Sequence, residues 1–373
     1  MKRILLISSA VVLVLVLILA IFLRLRFGGG KTYPDLSTTP RLPQAALEAF
    51  FAFDEPIGNV AASRDTSYPT RVFFTVHPES RPEKIKLLEI KDGKAVPYPS
   101  EAEQAKFKTP LGLYVDRQQR LWVIDHGNHA IEGARLLAFD LQKNALIHEY
   151  TFPDSIAEKG SFFNDLSVTP DGNYVFVADV SFFAKKPSLI VYDIARRQAR
   201  SLLDGHPSVT SQGYVPVTPA KKMRFFGGLV DLMPGIDGLD VDGKGEYVYW
   251  AAMSHESLCR LPVATATDFN LSDNAIYNKV ETVSKKPLSD GIRVDTAGNV
   301  LITDIEHQGI YVVAPDGKGQ TLLRDARIRW ADGLSYGSDG YWYLADSDIP
   351  NQMLQSKKHI MQHQPYYIFR FKY

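Results

Sequence analysis

The sequence predicts a six-bladed β-propeller preceded by one N-terminal transmembrane helix, an all-β fold with a single anchor. Three observations lead to this prediction: an apolar run at the N-terminus, a five-residue phrase that recurs along the chain, and a repeat of roughly 40–50 residues with several strands in each unit. A pair of β-sandwich domains is the main alternative, but it would not explain why the phrase recurs through the whole chain.

The first predicted element is a membrane helix. Residues 4–23 are twenty consecutive apolar or small residues, with basic residues on both sides. At about 1.5 Å per residue they cover the roughly 30 Å hydrocarbon core of a bilayer. We expect residues 1–26 to be an uncleaved signal anchor that leaves the rest of the chain outside the cytoplasm, in the periplasm or the extracellular space. A cleaved signal peptide, giving a secreted protein, is the alternative, and a buried core helix is a third interpretation.

A linker is expected next, over residues 27–52. It begins with three consecutive glycines, 28–30, and contains several prolines, a composition typical of a flexible tether. Within it, residues 44–51 are predicted to form a short helix. From residue 53 to residue 373 short apolar runs alternate with clusters of Gly, Pro, Asn and Asp, and this region is assigned to the propeller.

The recurring phrase marks the first strand of each blade. Four copies open with Asn or Asp and continue as a short apolar strand: residues 164–168, 237–241, 290–294 and 332–336. Two degenerate copies lie upstream, at residues 59–63 and 111–115. A second apolar strand follows each copy, centred on Phe73, Trp122, Phe176, Tyr249, Leu301 and Tyr343. Because a third strand follows in every unit, six units indicate six blades.

Composition excludes several classes of function. The chain has 42 basic and 42 acidic residues, which argues against a nucleic-acid partner recruited by overall charge. Cys259 is the only cysteine, so no intrachain disulfide can form, and we expect a buried, inert thiol. The motifs of serine hydrolases, zinc proteases, phosphate-binding loops and dithiol redox proteins do not occur.

The opening residues of the six phrases are predicted to form a ring at one end of the central channel. The members are Asn59, Leu111, Asn164, Asp237, Asp290 and Asp332. Like charges held together raise each other's pKa and repel unless a cation lies between them. Ca²⁺, which accepts oxygen ligands from Asp and Asn, is one candidate. An organic ammonium group held by the carboxylates and by aromatic faces is the other. The structural alternative is that Asn and Asp here only bond their own backbone.

Other polar residues are weaker candidates. Acids recur at the end of the second strand, at Asp125, Asp179, Asp304 and Asp346, where we expect them to cap turns or bond a neighbouring loop. His126 and His129 follow the first of these acids, and they are either a base or ligands at the site, or loop histidines. Two connections exceed the repeat, residues 204–236 and 347–365, and the first is a candidate cover for the site.

The sequence resembles the major royal jelly protein and yellow family, in its bacterial branch. The resemblance rests on residues 58–61 and 71–74, Arg120-Leu121-Trp122-Val123-Ile124-Asp125-His126-Gly127, 136–141, 163–166 and 288–291. It covers residues 55–373 and implies a six-bladed propeller that is usually exported. Insect relatives are described as nutritive, pigment-related or amine-binding.

A weaker similarity connects the chain to propellers of the gluconolactonase and paraoxonase type. In those enzymes Asn and Asp at these blade positions bind a catalytic divalent metal, which would correspond to Asn164 and Asp237 here. They also use a Glu in the first blade, where this chain has Asn59, and that departure weakens the correspondence.

Three functions follow from these patterns. The first is a membrane-anchored protein that binds a small aromatic or amine-bearing ligand at the channel mouth. The second is an enzyme, either a metal-dependent lactonase or ester hydrolase or a dopachrome-like tautomerase with His126 or a ring carboxylate as its base. The third is an interaction scaffold that uses the outer faces of the blades.

Overall fold

The computed structural model describes residues 2–373, and their side chains from residue 8 onward. The N-terminal helix α1 (Lys2–Phe27) stands before the domain. Its segment Ser8–Phe27 is long and apolar enough to cross a membrane, by length and composition alone, as a signal sequence near an N-terminus also is. The first strand, β1 (Glu48–Phe53), belongs to the last blade.

The rest of the chain forms the six predicted blades, each a four-stranded antiparallel sheet. Blades one and two consist of β2 (Ile57–Ala62), β3 (Val72–Val76), β4 (Leu87–Lys91) and β5 (Lys94–Pro97), and of β6 (Pro110–Val115), β7 (Arg120–Asp125), β8 (Arg135–Asp140) and β9 (Ala145–Thr151). Blade three consists of β10 (Phe163–Val168), β11 (Tyr174–Asp179), β12 (Ser188–Asp193) and β13 (Gln198–Leu202). A small hairpin of β14 (Arg224–Phe225) and β15 (Val230–Asp231) precedes blade four.

Blade four contains β16 (Ile236–Val241), β17 (Tyr247–Ala252), β18 (Ser257–Pro262) and β19 (Glu281–Lys285), with the short helices α2 (Val263–Ala266) and α3 (Asp273–Tyr277) before β19. Blade five contains β20 (Ile292–Val294), β21 (Val300–Asp304), β22 (Gly309–Val313) and β23 (Gly319–Arg324). Blade six contains β24 (Ala331–Tyr336), β25 (Trp342–Asp346) and β26 (Tyr366–Phe371), with α4 (Lys357–Met361) before β26 and β1 as the outer strand.

The N-terminal strand closes the ring of blades. β1 pairs antiparallel with β26, so the two ends of the propeller chain meet in one sheet. The predicted linker therefore extends too far, because residues 48–52 belong to blade six. The predicted short helix over residues 44–51 is wrong beyond one 3₁₀ turn, Gln44–Ala46. Three phenylalanines in β1 pack on this blade and on blade one, and that burial favours a strand over a helix.

The recurring phrase forms the inner strand of every blade, as the sequence predicts. Its glycine lets neighbouring inner strands approach closely around the channel. A Cβ atom at Gly238 would collide with the backbone carbonyl of Asp290, and one at Gly291 with that of Asp332. In blades four, five and six the phrase therefore pairs an Asp that faces the channel end with a glycine that leaves room for the neighbouring inner strand.

The acids at the end of the second strand hold the loops that enter the inner strands. Asp125 accepts hydrogen bonds from the backbone N–H groups of Lys108 and Thr109, at 2.8 and 2.7 Å. Asp179 accepts from Phe162 at 2.8 Å. Asp346 accepts from Arg329 and Trp330 at 2.8 and 2.7 Å. These three acids bond a loop and Asp304 caps its own turn by bonding His307, so both of the predicted roles are found.

Candidate functional site

A cavity of about 470 Å³ occupies the end of the channel where the inner strands begin. Its floor contains five of the six predicted ring residues: Leu111, Asn164, Asp237, Asp290 and Asp332. Its walls are mostly apolar, and the aromatic side chains among them are Phe27, Phe162, Phe182, Phe183, Phe225, Phe226 and Trp330. A polar, acidic floor thus lies beneath an aromatic and aliphatic chamber.

The carboxyl groups of the floor are buried, and polar side chains beside them form hydrogen bonds with Asp237 and Asp290. The Asn164 side-chain amide donates a hydrogen bond to Asp237 Oδ1. The indole N–H of Trp330 donates to Asp290 Oδ2 at 2.6 Å. A protonated Asp237 carboxyl can also donate to Asp290. These contacts fix the orientation of the acids toward the cavity.

Burial makes these acids reluctant to ionise. Burial raises the pKa of Asp290 to about 7, although the hydrogen bond from Trp330 opposes the rise. Burial, with the adjacent Asp290 carboxylate next in importance, raises the pKa of Asp237 and of Asp332 well above the usual range. Each acid therefore ionises at neutral pH only at a free-energy cost, and a cation between them would remove that cost.

Few protein cations are positioned to balance this charge. His77 Nε2 lies 3.8 Å from Asp332 Oδ2, but burial lowers the pKa of His77 to about 3, so the ring is neutral at pH 7. Lys286 is fully buried outside the cavity lining, and its Nζ donates to the Pro287 carbonyl at 3.1 Å. Burial lowers the pKa of Lys286 to about 7, although nearby acids, Asp237 among them, oppose the change. Among residues 8–373, no Lys or Arg forms an ion pair with the floor acids Asp237, Asp290 and Asp332.

Asn59 does not belong to the ring, so this prediction is wrong. Ile57 pairs with Val76 in blade one, and Phe163 pairs with Asp179 in blade three. Ile57 and Phe163 therefore hold the same position in their blades, so the next residue, Gly58, is the equivalent of Asn164. The Asn59 side chain instead accepts a hydrogen bond from the backbone N–H of Val60 at 2.8 Å. The prediction is one residue out because Gly58 has no side chain and the next residue, Asn59, is of the type that opens other copies of the phrase.

Of the two histidines after β7, His129 lines the cavity and His126 does not. His126 is 2% exposed and packs against the rings of Phe162 and His129, at 4.5 and 5.4 Å. Burial lowers the pKa of His126 well below its usual value, and its Nδ1 accepts a hydrogen bond from the backbone of His129. The structure therefore makes His126 a support for the cavity wall.

A buried ion pair closes the channel beneath the floor. Arg293 of β20 reaches to Asp165 of β10, with nitrogen–oxygen distances of 2.8 and 3.0 Å. The guanidinium also donates to the carbonyl groups of Leu239 and Ile292 at 2.9 Å. The sequence held a signal for it, since Arg293 is the one basic residue within the six phrases.

Both long connections contribute to the cavity walls. Residues 204–236 provide Phe225, Phe226, Val230, Leu232 and Pro234, and residues 347–365 provide Ile349, Met353 and Leu354. The first connection therefore lines this cavity, and its role as a cover for a functional site stays a prediction. Trp330 and His77 are not predicted as site residues, because both lie outside the phrase: Trp330 is two residues before the start of its last copy, and His77 directly follows β3.

Cys259 lies buried on β18, as expected. Burial raises the pKa of its thiol to about 11, which keeps the group protonated at neutral pH.

The floor residues fit a divalent metal poorly. Their oxygen atoms are of the kind that Ca²⁺ prefers. Across the described part of the chain, however, no three His, Cys, Asp or Glu side chains gather at the spacing of metal ligands. Gly58 stands where the lactonase pattern has its blade-one acid, although Glu79, in the turn after β3, also lines the cavity.

The profile described as major royal jelly protein matches residues 109–346, from blade two to blade six. The chain belongs to the major royal jelly protein family. The resemblance seen in the sequence is thereby confirmed for the larger part of the propeller. A search of curated proteins gave no significant match.

Solved structures share the architecture of this family member at low sequence identity. A gluconolactonase from Xanthomonas campestris superposes with a TM-score of 0.57 and 13% identity, covering 92% of this chain and 98% of that chain. A luciferin-regenerating enzyme gives 0.55 and 10%, covering 88% and 95%. The calcium-binding protein regucalcin from Agrobacterium tumefaciens gives 0.54 and 12%, covering 85% and 91%. At these identities the likeness shows the fold alone.

Proposed function

We propose that this major royal jelly protein family member binds a small organic cation with an aromatic or aliphatic body, and that its propeller is held outside the cytoplasm by the N-terminal helix. One observation supports the ligand class above all others: three buried carboxyl groups share a cavity floor without a Lys or Arg partner among the described residues, beneath walls that are mostly carbon. The ammonium group of such a ligand balances the negative charge of the floor acids, and the apolar walls exclude water from the organic part of the ligand.

The aromatic walls support an organic cation over a metal ion. Phe162 and Trp330 lie in the same cavity as the acids, and an ammonium group over an aromatic face gains about 0.5–2 kcal/mol. A hydrated metal ion gains nothing from such faces. The metal-dependent lactonase alternative is therefore less well supported than the amine-binding one.

The experiment is calorimetric titration of the full chain in lipid nanodiscs with 2-phenylethylamine and with its neutral analogue 2-phenylethanol. We expect the amine to bind and the alcohol to bind at least about tenfold more weakly, a difference of about 1.4 kcal/mol. Asp237→Asn removes one acid while keeping the side-chain shape, so it should weaken amine binding. Asp316→Asn, in an exposed turn of blade five, is the matched control.

Two results would contradict the proposal. Equal binding of amine and alcohol would show that the acids do not recognise charge. One tightly bound Ca²⁺ per chain that is lost in Asp237→Asn would favour the metal-dependent alternative.

A second candidate function is proton transfer on the bound ligand, as in a tautomerase. It is favoured by the pKa of about 7 at Asp290, since a base with a pKa near the working pH transfers protons most efficiently. Asp290 replaces His126 in this role, because His126 does not line the cavity. Conversion of a dopachrome-like quinone, followed by absorbance, should then be lost in Asp290→Asn and kept in Asp316→Asn.

A further inference from the structure

The N-terminal helix ends at the cavity. Leu23 and Phe27, on the last turns of α1, are part of the cavity lining. The helix end is attached to the same walls: Arg24 donates to the Gly228 carbonyl at 2.9 Å, Arg26 donates to the Ala184 carbonyl at 3.2 Å, and the ring of Phe27 lies 5.7 Å from that of Phe182. Residues 8–22 are free of the domain. The segment that would lie in a bilayer thus begins where the cavity opens.

The edge of the cavity exposes apolar side chains from three separate connections. They are Phe183 between β11 and β12, Phe226 in the hairpin before blade four, and Leu354 between β25 and β26; we call them the apolar rim. Their exposed fractions are 55%, 67% and 57%. Soluble surfaces rarely gather large apolar side chains around one opening unless something covers them.

Basic side chains accompany the apolar rim in the same connections. They are Lys185, Lys221, Lys222, Lys357 and Lys358; Lys186 and Arg224 lie in the same connections but are paired with Glu158 and Asp231. The Nζ of Lys185 lies over the rings of Phe27 and Phe182, at 4.9 and 4.3 Å. Phenylalanines together with long basic side chains are typical of surfaces that lie at the boundary between the acyl chains and the anionic headgroups.

The length of the helix places the rim at that boundary. The apolar run ends at Leu23, and four further residues at about 1.5 Å each bring the chain only about 6 Å to Phe27. The headgroup layer on each side of the hydrocarbon core is about as thick. With the helix across a bilayer, the apolar rim therefore reaches headgroup depth.

We propose that the end of the propeller that carries the cavity lies on the membrane surface with the apolar rim inserted, so that the ligand enters the cavity from the lipid. The ligand is then an amphiphilic amine that dissolves in the bilayer. This inference rests on the proposed function for the nature of the ligand, and on α1 remaining as an anchor for the geometry. The bilayer interface is the occupant that best fits the rim, because it explains the helix attachment, the apolar side chains and the basic side chains together.

The test measures the depth of the rim in the full chain, reconstituted in nanodiscs that contain anionic lipid. Phe226→Cys and Leu354→Cys are each labelled with a bimane fluorophore, and Lys244→Cys, exposed at the opposite end of the propeller, is the matched control. The unsubstituted chain is the labelling blank, because Cys259 is buried. We expect lipids with a nitroxide high in the acyl chain to quench the two rim positions by about half, and aqueous iodide to quench only the control.

The outcomes are separable from those of the ligand experiment, since no ligand is present. Strong iodide quenching at both rim positions would overturn the membrane contact. Protection from iodide without quenching by lipid would mean that protein, such as a second copy of the chain, covers the rim, which would overturn the membrane contact as well. Amine binding could still be found in either case, and its absence would leave a positive depth result unchanged.

Discussion

At the scale of one residue, Asp290 shows how a residue of the candidate site lowers the free energy of unfolding at neutral and higher pH. Its pKa in the folded chain, about 7, lies above the ordinary value of 3.8 that the unfolded chain restores. The folded state therefore binds the proton more tightly, and this residue's contribution to stability is lost as the pH rises from about 4 to about 7. Natural proteins often retain such a cost where a ligand removes it.

Asp290→Asn is expected to stabilise the ligand-free protein at pH 8, because the amide mimics the neutral acid and still accepts the hydrogen bond from Trp330. The expected gain in the free energy of unfolding is about 2 kcal/mol, less than the full shift would give at about 1.4 kcal/mol per pKa unit. Urea denaturation at pH 8 and pH 4 measures it. The gain should shrink toward zero at pH 4. A variant less stable than the parent at pH 8 would show that the ionised Asp290 does not destabilise the folded protein.

At the scale of the element, the loops before the inner strands depend on the acids at the ends of the second strands. Asp346 is fully buried and binds the backbone of Arg329 and Trp330 as well as the Arg329 guanidinium, whose Nε lies 3.0 Å from Oδ2. This loop sets the position of the Trp330 indole, and through it that of Asp290. The hydrogen bonds that Asp346 forms with Arg329 and Trp330 therefore support the candidate site as well as the fold.

Asp346→Ala should destabilise the protein by about 3 kcal/mol, since it leaves two backbone donors and a guanidinium without their acceptor. Asp140→Ala is the matched control. Its carboxylate also bonds the backbone after a strand end, but in an exposed turn, so we expect a much smaller loss. Chemical denaturation of both variants gives the comparison. Equal losses in the free energy of unfolding would show that the burial of the Asp346 hydrogen bonds is unimportant.

Inner strands are predictable from the sequence because each carries a copy of the recurring phrase, with Asp-Gly at its start in blades four, five and six. β1 is not, because its partner β26 lies more than 300 residues away in the chain, and the run Glu48–Phe53 alone does not show which sheet it joins. In the site, Asn164, Asp237, Asp290 and Asp332 were found together. Gly58 was missed because a glycine at a ring position gives no chemical signal, and Trp330 because its role arises only when two blades meet.

At the scale of the whole molecule, one strand closes the ring. β1 brings three phenylalanines to the junction of blades six and one: Phe50 lies 5.1 Å from Tyr343, and Phe53 lies 5.1 Å from Phe74. Each of these half-buried rings contributes about 1 kcal/mol, since full burial is worth about 1.5–3 kcal/mol. Together with the backbone pairing of β1 with β26, they supply a sizeable part of the 5–15 kcal/mol by which a whole domain is usually stable.

A chain that starts at residue 54 should therefore fail to fold, or unfold at a much lower temperature, whereas a chain that starts at residue 44 should retain the parent domain's unfolding temperature more closely. Thermal unfolding followed by circular dichroism and size-exclusion chromatography compares the two. Identical melting curves would show that the ring does not need its N-terminal strand.

The central claim concerns the charge at the cavity floor, and it is tested most directly by counting the protons released when an amine binds. Calorimetric titration of the full chain in nanodiscs with 2-phenylethylamine, in buffers of different ionisation enthalpy, gives this number at each pH. The raised pKa values of the floor acids predict proton release near pH 6–7 and an affinity that rises with pH, by up to about tenfold per pH unit for each proton released. Binding without proton release, or with an affinity that falls as the pH rises, would contradict the account.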